Sequence, residues 1–375
     1  MNTIFTIGIF LAFFLFSLLL FKKDKTIEDK ILAIWMLIIG IHLLSYFIYS
    51  LGYWNKYPHL VGISNPFPLL HGPLLYLYTS YSLCPEKRFR LKDYLHFLPA
   101  ALSYISMFPF FFGCTAEEKR LIDQGIIKDF DIIMYISLVF FIISGIIYPI
   151  LSYRLLNKYQ KLIKENFAYN ENISLQWLKM LISGIGLIYI AVMVVYFFQG
   201  ILGMNFGFNA DMIFFSIIIA LVFALGHFGI RYQGIFTDNV IERNEIVEPR
   251  TAAEYKKSGL TFSDGEVLHE KLLKLMETKK PFLVSKLTLS KLADQLESSP
   301  NNLSQVINQY EEKNFYDFIN GYRVEEFIKR ASMPENSSFN ILGIALDSGF
   351  NSKSSFNQVF KRHTGVTPSQ YLENN

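Results

Sequence analysis

Two cysteines, Cys84 and Cys114, are all the thiols in 375 residues, and neither has a neighbour at metal-ligand spacing. A disulfide framework is excluded, and no metal site is expected. Acid is also scarce where it would matter. The long apolar runs hold almost no carboxylate, with Asp131 and Asp211 only at their edges. Proton-coupled transport usually relies on buried acids, so this scarcity argues against a transporter. Neither a nucleophile elbow nor a phosphate-binding loop occurs, which argues against a membrane enzyme, and no cofactor is expected. The net charge of +3 is too small to imply an acidic partner, so the distribution of charge carries more information than its sum.

What is abundant is apolar and aromatic. The chain has 36 Phe and 22 Tyr and is 51% hydrophobic. Seven runs, at 3–21, 31–51, 60–83, 94–113, 132–153, 179–201 and 211–230, approach the roughly 20 residues that a helix needs to cross a bilayer. Pro66, Pro68 and Pro73 interrupt the third, which is expected to be kinked or broken. Charge between the runs tests the count, because Lys and Arg collect on the cytoplasmic side. With the N-terminus outside, the inner loops 22–30, 84–93 and 154–178 carry four Lys and Arg each, and the outer loops carry one, three and none. Seven spans are therefore expected in the inner membrane, with the C-terminus in the cytoplasm and Cys84 and Cys114 on opposite faces. The first run lacks a basic leader and a small-residue cleavage site, so it reads as a span and not as a removed signal.

Two imidazoles, His42 and His71, fall inside the runs. Each can serve as a structural hydrogen-bonding group between helices. Alternatively, one of them lines a sensor pocket with Tyr46, Tyr76 and Tyr78 for a small-molecule signal. The two are read as separate, and without a third ligand a zinc or iron site is not expected.

Past Arg231 the hydrophobicity collapses, and residues 232–262 read as a mixed-charge cytoplasmic tether. In 263–375 one device appears twice. Leu289, Leu292, Ala293 and Leu296 line one face of a short helix. Ser299 then suits an N-cap and Pro300 a first helical position. The following helix buries Leu303, Val306, Ile307 and Tyr310 and leaves Asn301, Asn302, Ser304, Gln305 and Asn308 on the other side. In the second copy Ile341, Ile344 and Ala345 line the first helix, and Gly349 supplies a left-handed stop. Ser352 caps the second helix, which buries Phe356, Val359 and Phe360. A longer helix over 314–331 joins the helix-turn-helix pairs 287–310 and 341–363.

"RVEEFIKRA", "ILGIALDSGFNSKSSFNQVFKRHTGVTPSQY" and the weaker "LTLSKLADQLESSPNNLSQVIN" resemble the AraC/XylS family of bacterial transcription regulators over about 285–372, and the whole chain is similar to membrane-embedded members with a seven-span front end. The resemblance implies two recognition helices entering successive major-groove segments of promoter DNA. Asn301, Asn302, Ser304, Gln305, Asn308, Lys353, Ser354, Asn357 and Gln358 are then expected at base edges, and Arg323, Lys361 and Arg362 at phosphates. The chain departs from the family in three respects. The first recognition helix has no Arg or Lys, Phe327 stands where a small residue is common, and residues 260–375 hold 13 Lys and Arg against 14 Asp and Glu.

The expectation is an all-α chain: a transmembrane bundle over 1–231, a linker over 232–262 and a DNA-binding domain over 263–375. Its function would be to couple a membrane or extracellular signal to transcription. Its partners would be double-stranded promoter DNA and the lipid bilayer, with a small-molecule signal, a second copy forming a homodimer, and RNA polymerase as further candidates. One alternative keeps the DNA binding and makes the bundle a passive anchor. A transporter or membrane enzyme with a helical tail is the other.

Overall fold

The computed structural model describes residues 2–83, 88–169, 176–204, 210–231, 261–334 and 340–373. The expected tether and Cys84 lie outside the described residues. The chain divides into two compact units, Met1–Asn157 with Leu175–Asn239 and Lys158–Ser174 with Val240–Asn375. Among the described residues there are helices and turns but no strand, and one isolated antiparallel bridge joins Phe167 to Thr288.

The first unit opens with α1 (Asn2–Phe21) and α2 (Ile27–Ser50). The turn between them is pinned by a buried carboxylate. Asp29 accepts from the Thr26 amide at 3.0 Å, from the Thr26 hydroxyl at 2.8 Å and from Lys22 Nζ at 2.9 Å. Burying a charge is tolerable there because each of these donors answers it. The third apolar run forms α3 (Pro68–Leu83), a 16-residue helix with Pro73 inside it.

The fourth run is broken into a 3-10 segment (Leu91–Phe97), α4 (Leu98–Ser106) and α5 (Phe108–Gly113), and α6 (Ala116–Asp123) follows. Then come α7 (Asp131–Asn166), α8 (Gln176–Tyr196), which runs into a π turn (Phe197–Ile201), and α9 (Ala210–Arg231). Among the described residues, five stretches are long and apolar enough to cross a membrane, with Pro68–Leu83 and Asp211–His227 shorter. Phe10, Phe21, Phe112 and Ile132 face outward, an arrangement suited to hydrocarbon and costly in water.

The second unit contains α10 (Phe262–Thr278), α11 (Leu289–Gln295), α12 (Pro300–Tyr310), α13 (Phe315–Ala331), α14 (Ile341–Asp347), α15 (Lys353–Thr364) and α16 (Pro368–Glu373). Among the described residues it has two hydrophobic cores, and α13 feeds both. Phe315, Phe318 and Ile319 join Leu292, Leu303 and Ile307 on one side. Tyr316, Val324 and Phe327 join Ile344, Phe356 and Phe360 on the other. The unusual Phe327 is fully buried, with its ring centroid 4.6 Å from Phe356 and 5.4 Å from Phe360.

Candidate nucleic-acid interface

Each helix-turn-helix pair is assembled by local capping. Ser299 accepts from the Asn302 amide at 3.2 Å, which starts α12, and Ser352 accepts from the Ser355 amide at 3.2 Å, which starts α15. Gly349 ends the preceding helix at φ 95°. These contacts satisfy amides that every helix start leaves open, so the sequence fixes both the start and the phase of each helix.

Phase decides what faces out. On α15, Phe356, Val359 and Phe360 are buried, while Lys353, Ser354, Asn357, Gln358, Lys361 and Arg362 are exposed. This gives a contiguous strip of hydrogen-bonding groups with cations at its C-terminal end. Arg362 also pairs with Asp317 and lies 5.5 Å from the Tyr316 ring centroid, which fixes its direction.

α12 differs. Ser304 is 4% exposed, which removes it from the set of surface groups expected at base edges. Asn301, Asn302, Gln305 and Asn308 are half-buried. The helical period places Ser304 on the polar side, where the Asn308 side chain of the same helix folds over it, with Nδ2 2.9 Å from the Ser304 carbonyl and 3.3 Å from its hydroxyl.

Arg323 also departs from expectation. Expected at a phosphate, it is 1% exposed. Its Nε donates to the Phe282 carbonyl at 2.8 Å, Nη1 to the Ala168 carbonyl at 2.8 Å, and Nη2 to Val284 and Ser285 carbonyls at 2.9 and 3.3 Å. Five donors in a rigid fork suit such a cluster of carbonyls. Ala168 and Asn320, which complete this neighbourhood, and the adjoining Glu165 and Phe167 are not among the residues expected from sequence. Residues 165–168 lie in a stretch that reads only as a loop, and nothing local marks their destination.

In the first unit, the expected pocket set divides. His42 and His71 are in contact, with Nδ1 and Nε2 3.3 Å apart, contrary to the reading of two separate imidazoles. Trp35 Nε1 donates to His71 Nδ1 at 3.1 Å, so a neutral His71 carries its proton on Nε2 and donates to His42. Tyr46 stacks on Phe215 at 4.0 Å. With His42, Trp54, Asp123 and Asp211 it lines a cavity of about 760 Å³. Tyr76 packs instead against His96 and Tyr148, and Tyr78 against Trp35 and Trp177, so neither lines that cavity.

The model of a helix-turn-helix domain matches residues 292–374. Among solved structures, that of a protein of unknown function from Listeria innocua is similar at 24% identity, covering 28% of this chain and 95% of that one with a TM-score of 0.25. No curated protein matches the chain.

Proposed function

We propose that this chain, whose residues 292–374 match a helix-turn-helix domain and resemble the AraC/XylS family, is a membrane-bound, sequence-specific transcription regulator that couples a signal received by its apolar bundle to promoter binding. The observation that carries the DNA half is the exposed strip on α15. Asn357 and Gln358 offer donor and acceptor pairs that match adenine, Lys353 reaches guanine acceptors, and Lys361 and Arg362 meet phosphates. Asn301, Asn302, Gln305 and Asn308 on α12 would read a second groove segment. The positive loops favour an inner-membrane protein with its N-terminus outside and its C-terminal domain in the cytoplasm. The cavity beside His42 and Tyr46 supports reception of a small-molecule signal by the bundle. A two-fold operator would recruit a second copy, and RNA polymerase would be the partner downstream.

Replacing Asn357 and Gln358 with Ala tests the assignment. Each good bidentate contact contributes about 1–3 kcal/mol of discrimination. The double variant is expected to lose its footprint on a promoter that the wild-type chain protects, while membrane insertion is unchanged. An unaltered footprint would remove the two residues from the base-reading set.

A further inference from the structure

The two recognition helices are not equally available. α15 presents its polar strip to solvent, whereas on α12 Ser304 is buried and its polar neighbours are half-covered. The Oδ1 atom of Asn301 is shut away from solvent without a hydrogen bond, a cost that uncovering the helix would relieve. Residues 158–166, the end of α7, belong to the same compact unit as α12. Glu165 Oε2 accepts from Asn308 Nδ2 at 3.3 Å, and that same nitrogen reaches the Ser304 carbonyl at 2.9 Å. The last turn of α7 thereby reaches the polar face of the first recognition helix through one side-chain contact.

Just beyond, the chain turns strand-like. Phe167 pairs with Thr288, the N-cap residue of α11. The Ala168 amide donates to the Leu287 carbonyl at 3.2 Å. The Ala168 carbonyl accepts from Arg323 Nη1 at 2.8 Å and from Asn320 Nδ2 at 3.1 Å. Phe167 and Ala168 are each 1% exposed, so the segment is seated in a groove.

We infer that residues 165–168 are an intramolecular clamp, docked in a peptide-binding groove of the first helix-turn-helix, that keeps α12 out of DNA until it is released. This rests on the DNA-binding reading and assigns its regulation. The major groove is about 12 Å wide and a helix with its side chains spans about 10–12 Å, so α12 fills it alone and does not enter with the end of α7 bonded to its polar face. The Glu165 carboxylate would also face the acceptors and phosphates of the duplex.

Release is physically reasonable. When Ala168 leaves, Arg323 keeps the carbonyls of Phe282, Val284 and Ser285 and the Asn320 side chain, so its charge is not orphaned. α7 is a single helix from Asp131 in the apolar unit to Asn166 beside the clamp. A movement of that helix in the bundle therefore has a covalent route to residue 165.

The test uses the full chain in lipid nanodiscs and a pool of random duplexes of about 40 base pairs, long enough for two half-sites one helical turn apart. Wild type is compared with Glu165→Ala/Phe167→Ala, which loosens the clamp, and with Phe167→Cys/Thr288→Cys, which locks it on oxidation. Wild type and the oxidised lock are expected to select a single half-site. The loosened variant and the reduced lock should select two, with affinity raised by about tenfold, within the usual range of coupling between sites. Two half-sites bound equally well by the oxidised and reduced lock would overturn the clamp, and this comparison decides even where Glu165→Ala/Phe167→Ala fails to fold. Selection of no duplex by any form would overturn the DNA-binding reading and the clamp with it.

Discussion

Arg323 carries a full charge in the interior of the second unit, and its guanidinium is held by the carbonyls of Phe282, Ala168, Val284 and Ser285. Gly349 sits at φ 95°, and a Cβ there would overlap the Phe282 carbonyl oxygen, the same oxygen that accepts from Arg323 Nε. The second helix-turn-helix thus touches the 282–285 turn at a point where a side chain has no room. Gly349→Ala is expected to cost about 2 kcal/mol or more, since it combines a strained backbone with a steric overlap against main chain. Chemical denaturation of the second unit, followed in the full chain, measures this directly. Gly343→Ala supplies the comparison, because a Cβ at Gly343 meets only Asn340 Oδ1 at ordinary contact distance. Equal midpoints for the two variants would show that the turn can relax.

Among elements, α13 organises the domain, and its charges as well as its apolar faces take part. Glu326 is nearly buried and accepts from Lys280 at 2.8 Å and from Arg330 at 2.8 Å, tying the helix to the turn that begins at Pro281. Burial alone would raise this carboxyl, but the hydrogen bonds and charges of Lys280 and Arg330 outweigh it, and the net shift is downward. A depressed carboxyl stabilises the fold above its unfolded pKa and loses that contribution as pH falls through the folded value. Wild type should therefore exceed Glu326→Gln in stability at neutral pH. Lys280 is substantially exposed, so the difference is modest, about 1 kcal/mol or less. The two melting curves should converge below about pH 4, near and below the usual carboxyl range; a gap that persists there would assign the effect to packing.

How far the sequence reveals such elements depends on the range of the forces involved. The helices of both pairs, with the Ser299 and Ser352 caps and the left-handed Gly349, were legible because capping and helical phase act within a few residues. The role of Arg323 was not, because a lone Arg on an amphipathic helix looks the same whether it meets a phosphate or a carbonyl 155 residues away at Ala168. The burial of Ser304 was hidden for the same reason. Its helix gives the phase correctly, but the fold-back of Asn308 onto Ser304, with Glu165 bonded to the same Asn308 nitrogen, cannot be read from periodicity.

For the whole molecule, the claim that matters is which side of a bilayer receives the second unit. The apolar runs are helical, and the outward Phe10, Phe21 and Phe112 side chains suit hydrocarbon. Hydrophobicity alone fixes the presence of spans but not their direction, so direction must come from charge. Loop 154–178 has Arg154, Lys158, Lys161 and Lys164, and a cluster of that kind resists transfer across a membrane. The clamp adds a constraint: residues 158–169 share a compact unit with the C-terminal domain, so this segment and the recognition helices must occupy the same compartment. A membrane-impermeant maleimide separates the possibilities. With Cys84 and Cys114 replaced by Ser, a single cysteine introduced at Lys158 and another at Gln370 should both label in inverted vesicles and stay unlabelled in intact cells. Labelling of either position from outside the cell would place at least one piece of this unit beyond the reach of the chromosome.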